Sequence, residues 1–391
     1  MRRTRAVVLW GALGLAAFVE SGPLAAEDFD TRALHRVAKP PLGLPPVPAP
    51  NDNPLTAAKV ALGRKLFFDR RLSVNNTMSC GMCHVPEQGF TSNELATPVG
   101  VEGRAVRRNS PTILNVAYVT RVFHDGRETG LETQPISPLV AHNEMANPSM
   151  GFVLAKIATL DDYDGRFEAA FGGGPTVDRL GQALASWQRT LVAGNSPFDR
   201  WKFAGDEAAM TEQQQRGFAL FNGRARCFVC HPVGDKTALF TDDGFHDTGI
   251  GYFNHNVAPG DDSPLPVEVA PGVVIPVGRD YLESISEKRE PDLGRFEVTQ
   301  DPADMWRFRT PSLRNVAVTA PYMHDGSLRT LEEVVRFYQR GGIAHEGLDP
   351  LLRPIEMTDD DVHALVAFLQ SLTSPDLEQL IADARSVPVG D

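Results

Sequence analysis

Four cysteines occur in this 391-residue chain, and all of them fall into two copies of one short motif. In each copy two residues separate the cysteines and a histidine follows directly: Cys80, Cys83 and His84, then Cys227, Cys230 and His231. This spacing is typical of c-type haem, where the cysteines form thioether bonds to the porphyrin and the histidine binds the iron. Zinc binding, a redox-active dithiol and a disulfide are the alternatives, but they do not account for a histidine after both pairs. The sequence therefore predicts two covalently bound haem c groups and no free thiol.

The first 26 residues have the pattern of a secretory signal peptide. Three arginines precede an apolar run over 6–19, and small residues follow at Ala25 and Ala26. The run is short for a bilayer span, although an uncleaved N-terminal anchor remains the alternative. No other apolar run approaches 18 residues, so we expect a periplasmic protein without a membrane span after cleavage.

The charge balance restricts the class of partner. The chain has 38 Lys and Arg against 50 Asp and Glu, a net charge of -12, which becomes -14 when 1–26 is removed. Nucleic-acid binding requires a basic face, so the acidic balance disfavours a nucleic-acid partner. The length and the 42% content of hydrophobic residues favour two folded domains over disorder.

Parts of the sequence repeat at an offset of 200 residues. Residues 110–126 resemble 310–326, and both end in His-Asp-Gly. The two haem motifs are only 147 residues apart, so we expect the second copy to carry about 53 additional residues, as loops within 240–300. Chance similarity between unrelated domains is the alternative. The repeat predicts an internal duplication, with two copies of one haem module.

Helical patterns surround both motifs. We expect helices to begin near Thr56, Thr211 and Thr358, and an amphipathic helix to lie within 177–191. The predicted fold is therefore mainly α, with two cytochrome-c-like haem domains. The predicted segments are a signal peptide at 1–26, an extended Pro-rich arm at 27–54, an N-terminal haem domain at 55–203 and a C-terminal haem domain at 204–391.

The chain resembles the bacterial di-haem cytochrome c peroxidases and the related MauG-type enzymes. The resemblance covers about 50–375 and rests on several blocks together: Leu-Gly-Arg-Lys-Leu-Phe at 62–67, Cys-His-x-Pro-Glu-Gln-Gly-Phe at 83–90, Arg-Asn-Ser-Pro-Thr at 108–112, His-Asp-Gly-Arg at 124–127, Glu-Met at 144–145 and the block at 310–326. It implies that peroxide reacts at the N-terminal haem, whose proximal ligand is His84. It also implies that the C-terminal haem, with His231, stores or relays an electron.

The resemblance further implies a distal pocket for the first haem. The family's Gln, Pro and Glu fall on Gln134, Pro138 and Glu144. Splitting the O–O bond needs a group that takes a proton from one oxygen and delivers it to the other. A carboxylate in a dry pocket can do both, because desolvation raises its pKa. Without the resemblance, Glu144 would be interpreted as a surface acid.

The sixth ligand of the second haem distinguishes the two branches of the family. This position holds Met in the peroxidases and Tyr in the MauG-type proteins, and here it falls on Tyr338, with Met323 and Met357 as rivals. A thioether favours ferrous iron and a high potential, whereas a phenolate favours ferric iron. Many of the peroxidases also block the first haem with a loop histidine. Residues 85–110 contain no histidine, so we expect the first haem to be open at rest.

Relatives commonly place Trp between the haems, where this chain has His124. Histidine is a poor carrier of an oxidising equivalent, so electrons would tunnel directly or use Tyr118 or Phe123. We expect His124 to act structurally, by hydrogen bonding a haem propionate.

The resemblance also implies one Ca²⁺ between the domains. Its ligands map to the side chain of Asn109 and the backbone carbonyls of Thr319 and Pro321, oxygen atoms that suit a hard cation. A turn cap is the alternative role for Asn109.

Three functions are consistent with the sequence. The first is a periplasmic peroxidase that reduces H₂O₂ with electrons from a small cytochrome c or cupredoxin. The second is a MauG-type oxidase that modifies residues of a partner protein. The third is a di-haem electron carrier without enzymatic activity.

Overall fold

A computed structural model describes residues 29–256, 264–270, 272–278, 281 and 291–386. The predicted signal peptide at 1–26 lies outside these residues. Over the described residues the fold is mainly α, as predicted. The α-helices are α1 (Phe29–Ala38), α2 (Ala57–Phe68), α3 (Cys80–Cys83), α4 (Ile136–Val140), α5 (Met150–Ile157), α6 (Arg166–Phe171), α7 (Val177–Gln188), α8 (Pro197–Ala204), α9 (Glu212–Phe221), α10 (Ile250–Asn256), α11 (Phe296–Thr299), α12 (Leu331–Gln339), α13 (Asp359–Gln370) and α14 (Leu377–Arg385).

Threonine side chains begin three of the longer helices, as the sequence predicts. Thr56 accepts a hydrogen bond from the backbone of Lys59 at the start of α2. Thr211 and Thr358 form reciprocal capping boxes at the starts of α9 and α13. Each cap satisfies backbone N–H groups that the first helical turn leaves unpaired.

Two hydrophobic cores organise the chain. In the first, α2 packs on α7, and in the second, α9 packs on α13. A glycine allows close contact in each pair: a Cβ on Gly63 would lie 1.9 Å from the Ala183 carbonyl oxygen, and a Cβ on Gly217 would lie 1.9 Å from that of Ala364. The two helix pairs thus approach backbone to backbone in the same way.

The arm predicted at 27–54 is partly helical, which corrects the sequence interpretation. Helix α1 occupies its first described residues, and no helix or strand forms over 39–54. Arg32 and Arg36 both donate hydrogen bonds to the Asp383 carboxylate in α14, at 2.9 and 2.8 Å. This contact joins the two ends of the described chain and stabilises a short helix.

The domain boundary predicted between 203 and 204 lies inside α8. Phe198 from this helix is fully buried in the second core, so that core begins earlier than expected. In the other direction, Leu380 and Ala384 of α14 pack into the first core. Each core therefore contains residues that the predicted boundary assigned to the other domain.

The segment 240–300 contains more than loops. A two-stranded antiparallel sheet pairs β1 (Phe245–His246) with β4 (Phe308–Arg309), and a hairpin pairs β2 (Leu265–Ala270) with β3 (Val273–Val277). Valine-rich strands around Gly272, which has a φ of +74°, explain the hairpin. None of the helices in the described residues is both long and apolar enough to cross a bilayer.

Candidate functional site: a cavity shared by two Cys-x-x-Cys-His motifs

A cavity of ≈ 1320 Å³ is lined by all six motif residues: Cys80, Cys83, His84, Cys227, Cys230 and His231. The other residues assigned to sites from the sequence line the same cavity: Gln134, Pro138, Glu144, His124, Asn109, Thr319, Pro321 and Tyr338. The structure therefore brings together residues that lie up to 258 positions apart in the sequence.

Each motif forms one tight turn that presents its cysteines and histidine together. Cys80–Cys83 is a single helical turn, and Cys227–Val229 is a 3₁₀ turn. In both, the histidine N–H donates to the carbonyl of the first cysteine, at 3.0 Å. Aromatic rings support the two histidines: Phe67 lies 6.2 Å from His84, and Phe221 lies 6.5 Å from His231.

The proximal histidines are oriented by backbone carbonyls. His84 Nδ1 donates to the Phe90 carbonyl at 3.2 Å, and His231 Nδ1 donates to the Phe240 carbonyl at 2.8 Å. Metal-binding histidines commonly fix one ring nitrogen in this way, which leaves the other for the metal. Burial lowers the pKa of both imidazoles, so they are neutral and able to coordinate at neutral pH.

The cysteines are unlike those of a redox-active dithiol. Burial raises the pKa of Cys80, Cys83 and Cys227 to about 12. Reactive dithiols instead lower their thiol pKa with nearby positive charge or a helix N-terminus. These thiols fit thioether attachment better than disulfide exchange.

The distal group predicted for the first haem lies around the short helix α4. Pro138 is within this helix, Gln134 precedes it and Glu144 follows it. The Glu144 backbone is held by Val101, whose N–H donates to its carbonyl at 2.9 Å, and by close contact with Gly100. Burial raises the pKa of the Glu144 carboxyl, and the charge of Arg127 partly opposes this rise.

Tyr338 lies at the second motif. It is located in the last turn of α12 and lines the cavity. Burial raises the pKa of this phenol above its ordinary value, and its hydroxyl is close enough to Cys230 and Cys227 for these cysteines to raise its pKa further. The rival ligands Met323 and Met357 also line the cavity.

His124 lies where the two halves of the chain meet. Its Nε2 donates to the Asn109 carbonyl at 2.9 Å, and its own carbonyl accepts from the Arg309 N–H at 2.7 Å. Burial, with the nearby charge of Arg108, lowers its pKa to about 3, so it is neutral. Of the suggested alternative carriers, Phe123 lines the cavity, whereas Tyr118 donates its hydroxyl to Pro45.

The calcium candidates lie close to this junction. Asn109 is buried, and its amide Nδ2 donates to the Ala96 carbonyl at 2.9 Å, which leaves Oδ1 available as a ligand. Its N–H donates to the His324 carbonyl at 2.7 Å. Thr319 and Pro321 line the same cavity.

Sequence reasoning missed two charged groups in this cavity. His246 bridges two carboxylates, with Nδ1 2.6 Å from Asp349 and Nε2 3.0 Å from Asp242. It lies with Asp242 beside Cys230, and the ligand atoms of these three side chains are within 4.8 Å of one another. Arg127 is the other group, at the first motif's end of the cavity. The sequence gives no signal for His246, but Arg127 lies in the His-Asp-Gly-Arg block.

The residues of the cavity fit two covalently attached haems. Each motif has two unpaired thiols beside a histidine whose Nδ1 is already engaged. The cavity is larger than the roughly 300–1,000 Å³ typical of a single small ligand. Its lining changes from a carboxyl group near the first motif to a phenol near the second, so the two haem positions are chemically different.

Comparisons with known proteins agree with this arrangement. Residues 57–208 match the family model described as di-haem cytochrome c peroxidase. The cytochrome-c peroxidase IdrP1 of Denitromonas iodatirespirans is 37% identical over 390 residues, which cover 96% of this chain and 95% of the relative. The methylamine utilization protein MauG of Methylorubrum extorquens is 39% identical over 328 residues, which cover 83% and 81%.

A solved structure has the same fold. The crystal structure of a MauG-like protein associated with microbial copper homeostasis has a TM-score of 0.70 and 31% identity, covering 86% of this chain and 95% of the other. Sequence identity extends over nearly the full length, and both haem-attachment motifs open onto one cavity. The chain therefore belongs to the di-haem cytochrome c peroxidase family, which includes MauG, and is a haem oxidoreductase with two c-type haems.

Proposed function

We propose that this protein reduces H₂O₂ to water at the haem of the first motif, with electrons that pass through the haem of the second. The overall reaction joins H₂O₂, two protons and two electrons into two molecules of water. The observation that carries the proposal is the half-buried Glu144 carboxyl, which shares the cavity with His84 and with Gln134. A pocket built only to hold a haem for electron transfer has no need of such a group.

The protein residues around the first haem have separable roles in this reaction. When bound, the haem would supply the electrons for cleavage of the O–O bond. The Glu144 carboxylate accepts a proton from one peroxide oxygen and returns it to the other, so the leaving oxygen departs as water. Burial raises its pKa, so the carboxylate takes up this proton more readily than an exposed carboxylate would. The Gln134 amide can hydrogen bond the peroxide, while Pro138 limits water entry.

Glu144→Gln tests this role directly. The substitution keeps the size and hydrogen bonding of the side chain but removes proton transfer, so the second-order rate with H₂O₂ should fall about 10²-fold or more. Glu168→Gln is the matched control, because Glu168 is exposed on α6 and does not line the cavity. Stopped-flow absorbance of the holoenzyme measures both. An unchanged rate in Glu144→Gln refutes the role.

The second haem would be held by His231 and Tyr338 and would pass electrons toward the first. A small periplasmic cytochrome c or cupredoxin is the proposed donor. The junction at His124 lies between the two haem positions, and its hydrogen bond to Asn109 supports a structural role there. Because this bond uses the one N–H of the neutral imidazole, Nδ1 could hydrogen bond a propionate only by accepting from its protonated form.

A MauG-type oxidation of a partner protein is the second candidate function. Tyr338 at the second motif favours it, because a phenolate ligand stabilises oxidised iron. Steady-state turnover of H₂O₂ with reduced cytochrome c separates the two. Rapid turnover supports the peroxidase, whereas negligible turnover with a long-lived oxidised state supports protein oxidation. A plain electron carrier predicts two six-coordinate irons and no reaction with peroxide.

We further propose that the two haem modules arose by internal duplication. Pairs of contacts at a constant offset of 200 support it: the N–H of Asn109 donates to the carbonyl of His324, and the N–H of Arg309 donates to that of His124, both at 2.7 Å. The N-terminal module would comprise 55–196 together with α14, and the C-terminal module would begin at α8.

Two further assignments complete the proposal. Asn109, Thr319 and Pro321 would provide oxygen ligands for one Ca²⁺ at the junction. Cleavage of the segment 1–26 would release the protein into the periplasm. N-terminal sequencing of the mature protein tests the second assignment, and metal analysis after dialysis against a chelator tests the first.

A further inference from the structure

A tryptophan lies behind the histidine of the first motif. The ring centre of Trp187, in α7, is 4.4 Å from that of Phe67. Phe67 lines the cavity, and its ring centre is 6.2 Å from that of His84. Leu184 and Gln188, which flank Trp187 in α7, also line the cavity. The indole is therefore two ring contacts away from the imidazole that would bind the first iron.

The indole of Trp187 is shielded from water. The residue is 3% exposed, and the ring of Phe68 meets it edge-on at 5.5 Å. Beside it lies a void of ≈ 10 Å³, which has room for one water at most. The arginines that line this void, Arg36 and Arg64, each form an ion pair with a carboxylate, at 2.8 and 3.0 Å. An oxidised indole would thus be protected from solvent, without an unpaired cation beside it.

The second core has the same packing with a different ring. A Cβ on Gly63 would lie 3.0 Å from the Cβ of Trp187, and a Cβ on Gly217 would lie 2.7 Å from the Cβ of Phe368. Trp187 and Phe368 therefore occupy equivalent places, one in α7 and the other in α13. The module with the proposed peroxide site has the indole, and the other module has a phenyl ring.

Packing alone does not require an indole at this place. The ring centre of Phe368 lies 4.9 Å from that of Phe221, which lies 6.5 Å from that of His231. The same two-step contact thus leads to the second histidine, with no member that is easily oxidised. Trp201, which is in the second core, packs on Phe198 instead. An indole is much easier to oxidise than a phenyl ring, so the exchange favours a redox role for Trp187.

We propose that Trp187 is an electron donor to the first haem, which gives up one electron when peroxide reacts and regains it from the second haem. This inference rests on the proposed function of the first haem pocket. H₂O₂ accepts two electrons as its O–O bond breaks; one comes from the haem and the other from Trp187, through Phe67 and His84. The indole becomes a radical cation that keeps its N–H proton. The two protons of the overall reaction are still consumed in forming water.

Such a donor solves a problem of timing. The small cytochrome c or cupredoxin proposed as the electron source delivers electrons one at a time, whereas H₂O₂ takes two together. An electron held by Trp187 allows the O–O bond to break before both external electrons have arrived. One electron from the second haem then restores the indole, and the overall reaction is unchanged.

Electron paramagnetic resonance of the holoenzyme, frozen within milliseconds of mixing with H₂O₂, tests the proposal. The wild type should give an organic-radical signal that narrows when the protein contains ring-deuterated tryptophan. Trp187→Phe, which copies the ring of Phe368, should lose this signal, and Phe67→Leu should form it more slowly. Trp201→Phe is the matched control and should keep it.

Peptide mapping provides a second readout. Repeated additions of H₂O₂ without an electron donor leave an oxidised indole with no source of electrons. Mass spectrometry should then find a hydroxylated side chain at Trp187, and much less hydroxylation at Trp201. Equal hydroxylation of the two residues would contradict the proposal.

The outcomes separate this inference from the proposed function. If the haem absorption changes on mixing but no organic radical forms, or if the radical persists in Trp187→Phe, the inference is wrong and the proposed function stands. If the haem absorption does not change, the proposed function fails and the inference fails with it. Should Trp187→Phe fail to fold, the double variant Trp201→Phe/Trp306→Phe decides, because Trp187 is then the only tryptophan after residue 26. A signal that still narrows there supports the proposal, and its loss overturns it.

Discussion

The two haem positions differ through individual residues around a common attachment. His84 and His231 are oriented by equivalent carbonyl contacts, so the proximal sides are alike. The residues proposed for the opposite sides differ, with Glu144 assigned to the first haem and Tyr338 to the second. A carboxyl that does not bind iron would leave room for peroxide, whereas a phenol bound to iron would close the site.

Tyr338→Met tests the assignment of the second site. If Tyr338 binds this iron, a thioether in its place should raise the reduction potential of the second haem, because it stabilises the ferrous state. Spectroelectrochemical titration measures the change. Tyr118→Phe, which loses a hydroxyl outside the cavity, should have no effect. An unchanged potential in Tyr338→Met would mean that another residue, such as Met323, is the ligand.

At the scale of elements, the helix pairs at the centre of the two cores depend on backbone contact. Gly217→Ala would place a Cβ 1.9 Å from the Ala364 carbonyl oxygen. Because backbone must move to relieve this clash, we expect a loss of about 2 kcal/mol and a thermal midpoint about 5 °C lower. Gly151→Ala in α5 is the control, since its new methyl would meet only the Ser149 hydroxyl, at 3.6 Å. Equal midpoints for the two variants would contradict the packing.

Asp292 and Glu297 form ion pairs with Arg107 and Arg108, and we call these four residues the charged clamp. Hydrogen bonds and charge from Arg108 outweigh the effect of burial and lower the pKa of Asp292 to about 2. Because this folded-state pKa is below that of the unfolded chain, the pair stabilises the protein above about pH 4, and the stabilisation disappears as the pH falls through about 2.

Asp292→Asn should remove this pH-dependent stabilisation. We expect the variant to lose about 2 kcal/mol of unfolding free energy at pH 7, and the difference from wild type to shrink toward zero near pH 2. Denaturant titrations of the holoprotein at several pH values provide the comparison. Asp235→Asn, at an exposed position, is the control. A difference that stays constant with pH would show that the clamp does not depend on the Asp292 charge.

At the scale of the whole molecule, local chemistry could be predicted better than long-range packing. The motifs, the caps at Thr211 and Thr358 and the mainly α fold follow from spacings of a few residues, and the structure confirms them. Spacing cannot reveal that α14 returns to the first core or that Asp383 holds α1. These contacts join residues about 350 positions apart.

The candidate site shows the same limit. Gln134 and Glu144 were predicted only through the resemblance to a known family. Their proposed roles depend on a shared pocket, and composition does not show which residues line a pocket. Arg127 was not singled out because the sequence does not show that its side chain lines the cavity. His246 was missed because its partners Asp242 and Asp349 are distant from each other in sequence.

In the proposed arrangement, one haem is open for peroxide and the other is closed by a protein ligand. Electron paramagnetic resonance of the resting ferric protein tests it most directly, because it reports the ligation of both irons at once. We expect one high-spin signal from the haem at His84 and one low-spin signal from the haem at His231, in equal amounts. Two low-spin signals, with no high-spin component, would contradict it.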